Sequence, residues 1–380
     1  MIRLAYNNCK NTEKIKDSMS AIKEELRKEF PVFQEKIYLD TASCGLVPKT
    51  VVEWRRNHDA NLLASVSSFR AEAAEFLKTC RGSVASFFGA EKDEVALVPN
   101  FSIGLNMLLE SIPSGQTILM IEEDYPSVSW PVERRDFNVC YAGLNENLEE
   151  NILKAAEKHK PDVFLLSIVQ WISGIKIDLE FLKELKKKFP EMLIIGDGTQ
   201  YFGTEIFNFS ESAFDVVIAS TYKWLNSGFG NGFMLVKEEA RKNIFPEVIG
   251  FQSAETFESH PDDTKFMRHF EPGHLDTLNF GSLKESLSFF EKQGKEAIFT
   301  HIKDLNEEAF DFFRKENLLH PRTAKREVIS TIFNLQLSNE QLSRLENSDI
   351  VFAKRGGGVR VGLHYYNTFE DLEALKKVLR

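Results

Sequence analysis

Between Val95 and Val236, short apolar runs alternate with stretches of helical periodicity. The runs are Val95–Val98, Thr117–Ile121, Val163–Val169, Leu193–Gly196, Val216–Ser220 and Gly232–Val236. Between them, Ser102–Ser111, Leu148–His159 and Leu179–Phe189 place apolar residues at helical spacing. Unbroken apolar runs suit strands buried on both faces, and the intervening helices suit the crossovers that join parallel strands. The pattern predicts an α/β fold with a mostly parallel sheet flanked by helices. Upstream, Ser18–Phe30 reads as an amphipathic helix stopped by Pro31. Lys36–Asp40 reads as a short strand, Thr41-Ala-Ser-Cys-Gly45 as a turn, and much of Lys49–Phe88 as helix.

The pattern changes after about residue 255. Two long helical segments, Ser282–Gln293 and Ala297–Asn317, precede a strand-like Ser330–Leu337. A helix opens at Ser338 with Gln341 in capping-box position, and Thr368 with Asp371 opens the last one. Ile350–Lys354 and Val359–His364 read as a strand pair around the Gly356–Gly358 turn. The expected organisation is an N-terminal helical segment, 1–35, packed on the small domain. A large domain, 36–255, and a smaller C-terminal α+β domain, 256–380, follow.

Composition narrows the function classes. A net charge of −10 over 380 residues argues against nucleic acid or an anionic membrane as partner. Cys9, Cys44, Cys80 and Cys140 form no CxxC or Cys/His cluster, so no metal site is expected. Scattered cysteines, an N-terminus without an apolar signal core, and no run near the ~20 residues of a membrane span point to the cytoplasm. The 32 phenylalanines must largely fill cores or an interface.

The chemistry concentrates in Ile194–Gly232. One apolar run ends at Asp197 with Gln200 three residues on; the next ends at Ser220 with Lys223 three residues on. Open α/β sheets bind ligands beyond such strand ends. A lone lysine there is ordinarily a solvated charge, and a lone aspartate a turn or capping residue. Together they suit pyridoxal 5'-phosphate: Lys223 for a Schiff base, Asp197 for the pyridine nitrogen, Gln200 for the phenolic oxygen. Pro99-Asn-Phe-Ser-Ile-Gly104 lies between a strand and a helix and offers donors for a phosphate, Ser102 among them. Ser220 and Tyr222 supply further hydroxyls.

These residues resemble the class V aminotransferases, the fold-type I family that also holds cysteine desulfurases, selenocysteine lyases, kynureninases and isopenicillin N epimerase-like proteins. The resemblance runs from Tyr38-Leu-Asp-Thr-Ala42 nearly to the C-terminus. It rests on Asp197-Gly-Thr-Gln200, Ser220-Thr-Tyr-Lys223 and Val359-Arg-Val-Gly-Leu-His-Tyr-Tyr-Asn-Thr368. It implies Lys223 as the Schiff-base lysine, Asp197 and Gln200 at the ring, Ser102 and Ser220 at the phosphate, and Arg360 on the substrate carboxylate. It also implies a homodimer whose active sites lie at the interface, with His274 reaching the partner's phosphate.

Three departures stand out. Tyr222 replaces the histidine often found before the lysine. The loop after Thr117–Ile121 offers no histidine to stack on the cofactor, leaving Tyr125 as candidate, with Trp130 assigned to the core. Phe352–Gly358 lacks the reactive cysteine of many desulfurases. Gln170 ends a strand on the ligand side and competes with Trp171 for the ring or substrate. Cys44 reads as a small buried residue. The expected activity is an aminotransferase acting at Cα of an amino acid, with a keto acid as co-substrate. A β- or γ-elimination lyase or an epimerase would use the same Lys223 and Asp197. A non-catalytic, cofactor-binding regulator is the alternative of another class.

Overall fold

The computed structural model describes residues 26–254 and 263–380. A short strand, β1 (Ile37–Tyr38), precedes the long helices Lys49–Ala64 and Val66–Phe88. The large sheet comprises β2 (Val95–Val98), β3 (Thr117–Ile121), β4 (Asn138–Ala142), β5 (Val163–Ser167), β6 (Leu193–Asp197), β7 (Val216–Ser220) and β8 (Gly232–Val236). Their spatial order is β2-β8-β7-β6-β5-β3-β4. Only β8 runs against its neighbours; the contacts from β7 through β4 are parallel. The expected α/β, mostly parallel architecture is therefore the observed one.

Alternate residues of each strand feed different cores. Leu97, Leu119, Phe164, Ile194, Val217 and Phe233 face one cluster, which Val84 and Phe88 of the helix Val66–Phe88 complete. Ile118, Leu165, Ile195, Ile218 and Met234 face the other, against Leu105 and Leu108 of the helix Phe101–Glu110. Burial on both faces is why these strands read as unbroken apolar runs. β4 escaped the sequence reading for the opposite reason. It is an edge strand with Asn138 and Tyr141 exposed, so its apolar signal is diluted.

The C-terminal part carries β9 (Ile332–Leu335), β10 (Ile350–Val351), β11 (Ala353–Arg355) and β12 (Gly358–Gly362). β11, β12 and β9 form an antiparallel sheet in that order. The strand expected at Ile350–Lys354 breaks at Phe352: β10 pairs in parallel with β1, while β11 turns into β12. Gly356 and Gly357 make the hairpin turn at φ +59° and +75°, where a side chain would be strained. Both expected capping boxes form, at Ser338 with Gln341 and at Thr368 with Asp371. Phe313, Phe333, Leu335, Val361 and Leu372 fill this part's core.

The helix expected at Ser18–Phe30 lies mostly outside the described residues. Its described end sets Phe30 against Tyr365 and Tyr366 and joins Arg27 to Asp371 at 2.7 Å. Among the described residues no helix is long and apolar enough to cross a membrane.

Candidate active site

Parallel strands carry their carboxyl ends to one edge of the sheet, and polar residues gather there. β6 ends in Asp197, β7 in Ser220 with Lys223 just beyond, and β5 in Ser167. They line one cavity of about 490 Å³ with Ser102, Tyr125, Trp171, Thr199, Gln200, Tyr222 and Phe229. A cavity of similar size, about 480 Å³, includes Lys176 and Glu205 in its lining. Its lysine is already paired to that glutamate, and it lacks the strand-end groups, so the first is the candidate site.

The Lys223 loop is held from several sides. The Gly45 N–H donates to the Tyr222 carbonyl at 2.9 Å, and a Cβ at Gly45 would collide with the Lys223 carbonyl, which only glycine avoids. Trp224 is buried and donates its indole N–H to Gln200 Oε1 at 2.8 Å, while Gln200 Nε2 donates to the Ala42 carbonyl at 2.9 Å. His364 Nε2 lies 2.9 Å from both the Trp224 carbonyl and Asn226 Oδ1. Two acceptors require that this nitrogen carry the proton. Burial pushes the His364 pKa down to about 3, so the ring is neutral.

Burial sets the electrostatics of the central pair. It raises the Asp197 carboxyl above the usual range, opposed by hydrogen bonds from Thr199 and by the Lys223 charge. The Thr199 N–H donates to Asp197 Oδ1 at 2.8 Å. Burial also lowers Lys223 toward the neutral amine; Asp197 opposes this, and the charges of Arg360 and Arg355 reinforce it. No hydrogen bond or ion pair holds the Lys223 amine among the described residues. It stands 5.8 Å from the Tyr125 ring centre and 5.6 Å from that of Tyr222. Tyr222 stacks on Phe229, and burial with Tyr125 and Asp197 nearby pushes its hydroxyl up to about 12.

At the other end, the helix Phe101–Glu110 points its N-terminus at the cavity. Asn100 Oδ1 caps the Ile103 N–H at 3.0 Å, and Ser220 Oγ accepts from the Phe101 N–H at 2.8 Å. The Ser102 hydroxyl and N–H take no partner among the described residues. Uncommitted donors at a helix N-terminus are a phosphate cradle.

Arg360 sits on β12, 2% exposed. It adjoins the cavity through Trp171 rather than lining it. Nη1 donates to the Trp171 carbonyl at 2.8 Å, and Nη2 donates to Ser43 Oγ at 2.6 Å and stands 3.5 Å from Asp40. Gln170 is occupied structurally: Nε2 donates to the Glu123 carbonyl, and Oε1 accepts from Ile172 and Ser173. Of the two competitors, Trp171 is the one in the cavity wall. His274 is exposed, near Gln252 and Phe251, and does not line the cavity. Trp130, expected in the core, is 65% exposed. It sits on the short helix Pro126–Glu133, whose buried side is taken by Val128 and Val132. Cys44, read as buried, is only partly so.

Sequence reasoning passed over Asp124, Thr199 and Arg355. Asp124 stands three residues past its strand, the offset of Gln200 and Lys223, and its carboxylate accepts from the Ser167 N–H at 2.9 Å. The repeated offset was a usable signal; Arg355 had none.

These groups suit pyridoxal phosphate. An amine without a hydrogen-bond or ion-pair partner among the described residues and with a lowered pKa, a buried carboxylate, aromatic walls and a donor-rich helix end share one cavity of fitting size. The comparisons agree. A Bacillus subtilis protein named an uncharacterized aminotransferase is 23% identical, covering 93% of this chain and 96% of its own length. A probable cysteine desulfurase of Pyrococcus abyssi is 24% identical, covering 94% and 97%. The solved apo cysteine desulfurase of Thermococcus onnurineus NA1 superposes with a TM-score of 0.80 at 20% identity, covering 93% and 96%. Since the family model for aminotransferase class-V matches residues 37–375, this chain belongs to that family of enzymes and takes pyridoxal phosphate as its cofactor.

Proposed function

We propose that the protein is an aminotransferase of α-amino acids, with Lys223 as the cofactor's covalent anchor and the base at Cα. One observation carries this reading. Lys223, its amine held toward neutrality by burial, shares a cavity with Trp171, whose carbonyl fixes the Arg360 guanidinium.

Bound there, the cofactor supplies an electron-withdrawing ring that accepts the electron pair of a broken Cα bond. Asp197 would keep the ring nitrogen protonated, with Thr199 fixing one carboxylate oxygen. Ser102, Ser220 and the helix N-terminus would hold the phosphate, and Tyr125 a ring face. Arg360 would grip the substrate carboxylate and so orient the Cα–H bond. Lys223 Nζ, once freed, would take the Cα proton and deliver it to the cofactor carbon bonded to the substrate nitrogen. Tyr222 offers no proton near neutral pH, which leaves that work to the lysine.

Among the described residues, cysteine placement favours transamination over persulfide chemistry; Cys9 lies outside them. Cys80 and Cys140 lie in cores. The Cys44 thiol is pushed up by burial and by Asp40 and points to the Gly45 carbonyl, so it is a poor nucleophile. The desulfurase names of the relatives favour a second reading, elimination at Cβ with the same Lys223 and Asp197. A homodimer fits the exposed Ile103 and Phe229 of the cavity lining and the exposed Phe251 beside His274, and we propose it with His274 acting across the interface.

The test assays a panel of amino acids for keto-acid formation with and without a keto-acid acceptor. Acceptor-dependent product is expected. Acceptor-independent product, with sulfide or ammonia released, would replace transamination by elimination.

A further inference from the structure

The β11–β12 hairpin brings a second arginine to the substrate side. In the antiparallel register Ala353 faces Arg360 and Arg355 faces Gly358. Paired residues, and those two apart, leave a sheet on the same face, so Arg355 projects on the face that carries Arg360. Its carbonyl accepts from Asn334 Nδ2 at 2.9 Å. Gly358, opposite it, adds no side chain to that face.

Trp171 joins the two arginines. Its carbonyl holds Arg360 Nη1 at 2.8 Å, and its ring centre lies 6.0 Å from the Arg355 guanidinium carbon. The same ring meets Tyr125 edge-on at 5.4 Å in the cavity wall.

Acceptors are short here. Among the described residues Arg355 has no carboxylate partner, although neighbouring Lys354 is paired with Glu346. Among the described residues, Arg360 Nε and Trp171 Nε1 are buried donors with no acceptor. Buried donors are ordinarily satisfied, and exceptions call for an explanation. Among the described residues Asp40 is the one carboxylate within ion-pair reach of Arg360. Both arginine charges also bear on the Lys223 ammonium. An α-carboxylate answers Arg360 and leaves Arg355 and the indole N–H unanswered.

We propose that Arg355 is a specificity residue that holds an anionic side-chain end, so that the substrate is an acidic amino acid, anionic at both ends. This rests on the assignment of Arg360 to the α-carboxylate. The hydrophobic stem would lie along Trp171, whose N–H can share the distal anion. An amide side chain offers a weaker acceptor to a guanidinium and carries no charge to balance two arginines.

Calorimetric titration of the cofactor-loaded enzyme with succinate, glutarate and butyrate reads the two ends separately. One hydrogen bond to a charged partner corresponds to about 10- to 100-fold in affinity. At least one dicarboxylate should bind tighter than butyrate by about that factor. Arg355→Gln should reduce it to the butyrate level and leave butyrate unchanged. In turnover, aspartate, glutamate and cysteate should exceed norvaline and glutamine in kcat/KM, and Arg355→Gln should erase the margin through KM. Cysteate against the carboxylates tells which anion fits. The proposal is overturned if butyrate matches both dicarboxylates in the wild type, or if Arg355→Gln weakens all three acids equally. Failure of the underlying reading looks different: Arg360→Gln would leave butyrate binding intact, or no amino acid would perturb the cofactor absorbance.

Discussion

Replacing Arg360 tests the substrate grip directly. Arginine carries five N–H donors. Nη1 gives one to the Trp171 carbonyl, and Nη2 gives one to Ser43 Oγ and turns its other toward Asp40, which leaves two uncommitted, the Nε donor among them. A carboxylate accepting two of these gains about 1.5–3 kcal/mol from each. Arg360→Gln should therefore cost about 3–6 kcal/mol of transition-state binding, roughly 10²- to 10⁴-fold in kcat/KM. Arg360→Lys keeps a charge but not the planar fork and should fall between. The assay compares alanine with ethylamine, which lacks the carboxylate, in wild type and variants, following the cofactor absorbance. Alanine should lose the full factor while ethylamine changes little. Equal losses for both amines would refute the carboxylate assignment and leave Arg360 a structural residue. That alternative has substance, since Asp40 Oδ1 is buried without another partner and Ser43 loses its donor. Thermal melts should accordingly show a loss of about 1–3 kcal/mol in Arg360→Gln, and the ethylamine control separates that effect from binding.

Lys223→Ala should abolish borohydride fixation of the cofactor and lower turnover by about 10²-fold or more, the usual worth of a positioned base; full activity would dismiss Lys223 from both roles. His364 titrates at about 3 in the folded chain against 6.5 unfolded. The unfolded state thus binds more protons between those values, and stability falls as pH drops from 6.5 toward 3. The cost is about 3 kcal/mol at pH 4.5. Denaturation curves across that window should flatten in His364→Gln, and an unchanged acid limb would show that other groups set it. Glu271 is buried with Arg81, accepts from the Leu97 N–H at 2.6 Å and contacts Arg268 at 2.5 Å. Glu271→Gln should cost about 3–5 kcal/mol by stranding that arginine, read as a lower urea midpoint.

How much of the site was legible depended on whether a residue's place follows from its own strand. A buried parallel strand announces itself as an apolar run, and the first polar residues past its end must lie at the ligand edge of the sheet. Asp197, Gln200, Ser220 and Lys223 obey that rule, and all four line the cavity. Gln170 obeys it too, yet its amide closes its own turn, because the next residues present free N–H groups to it. The rule locates backbone positions and is silent on which donors a side chain will find nearer home. Trp130 fails for a related reason: an eight-residue helix has room to bury only one side, and Val128 and Val132 occupy it.

The substrate side was harder because it is assembled from distant segments. Arg360, Ser43, Asp40 and Trp171 come from three parts of the chain and meet only when β12 is laid beside the turn after β1 and the segment after β5. No local spacing encodes that meeting. Arg355 is the extreme case: an exposed arginine in a glycine hairpin reads as ordinary surface until the β11–β12 register aligns it with Arg360. On the proposed assignments, cofactor chemistry, carried by strand ends, is therefore written locally, while substrate choice would be written in how a hairpin of the small sheet meets the large one. The two should be separable by mutation. Changes at Arg355 ought to move the ranking of amino acids, whereas changes at Asp197 ought to shift the absorbance of the bound cofactor for every substrate alike.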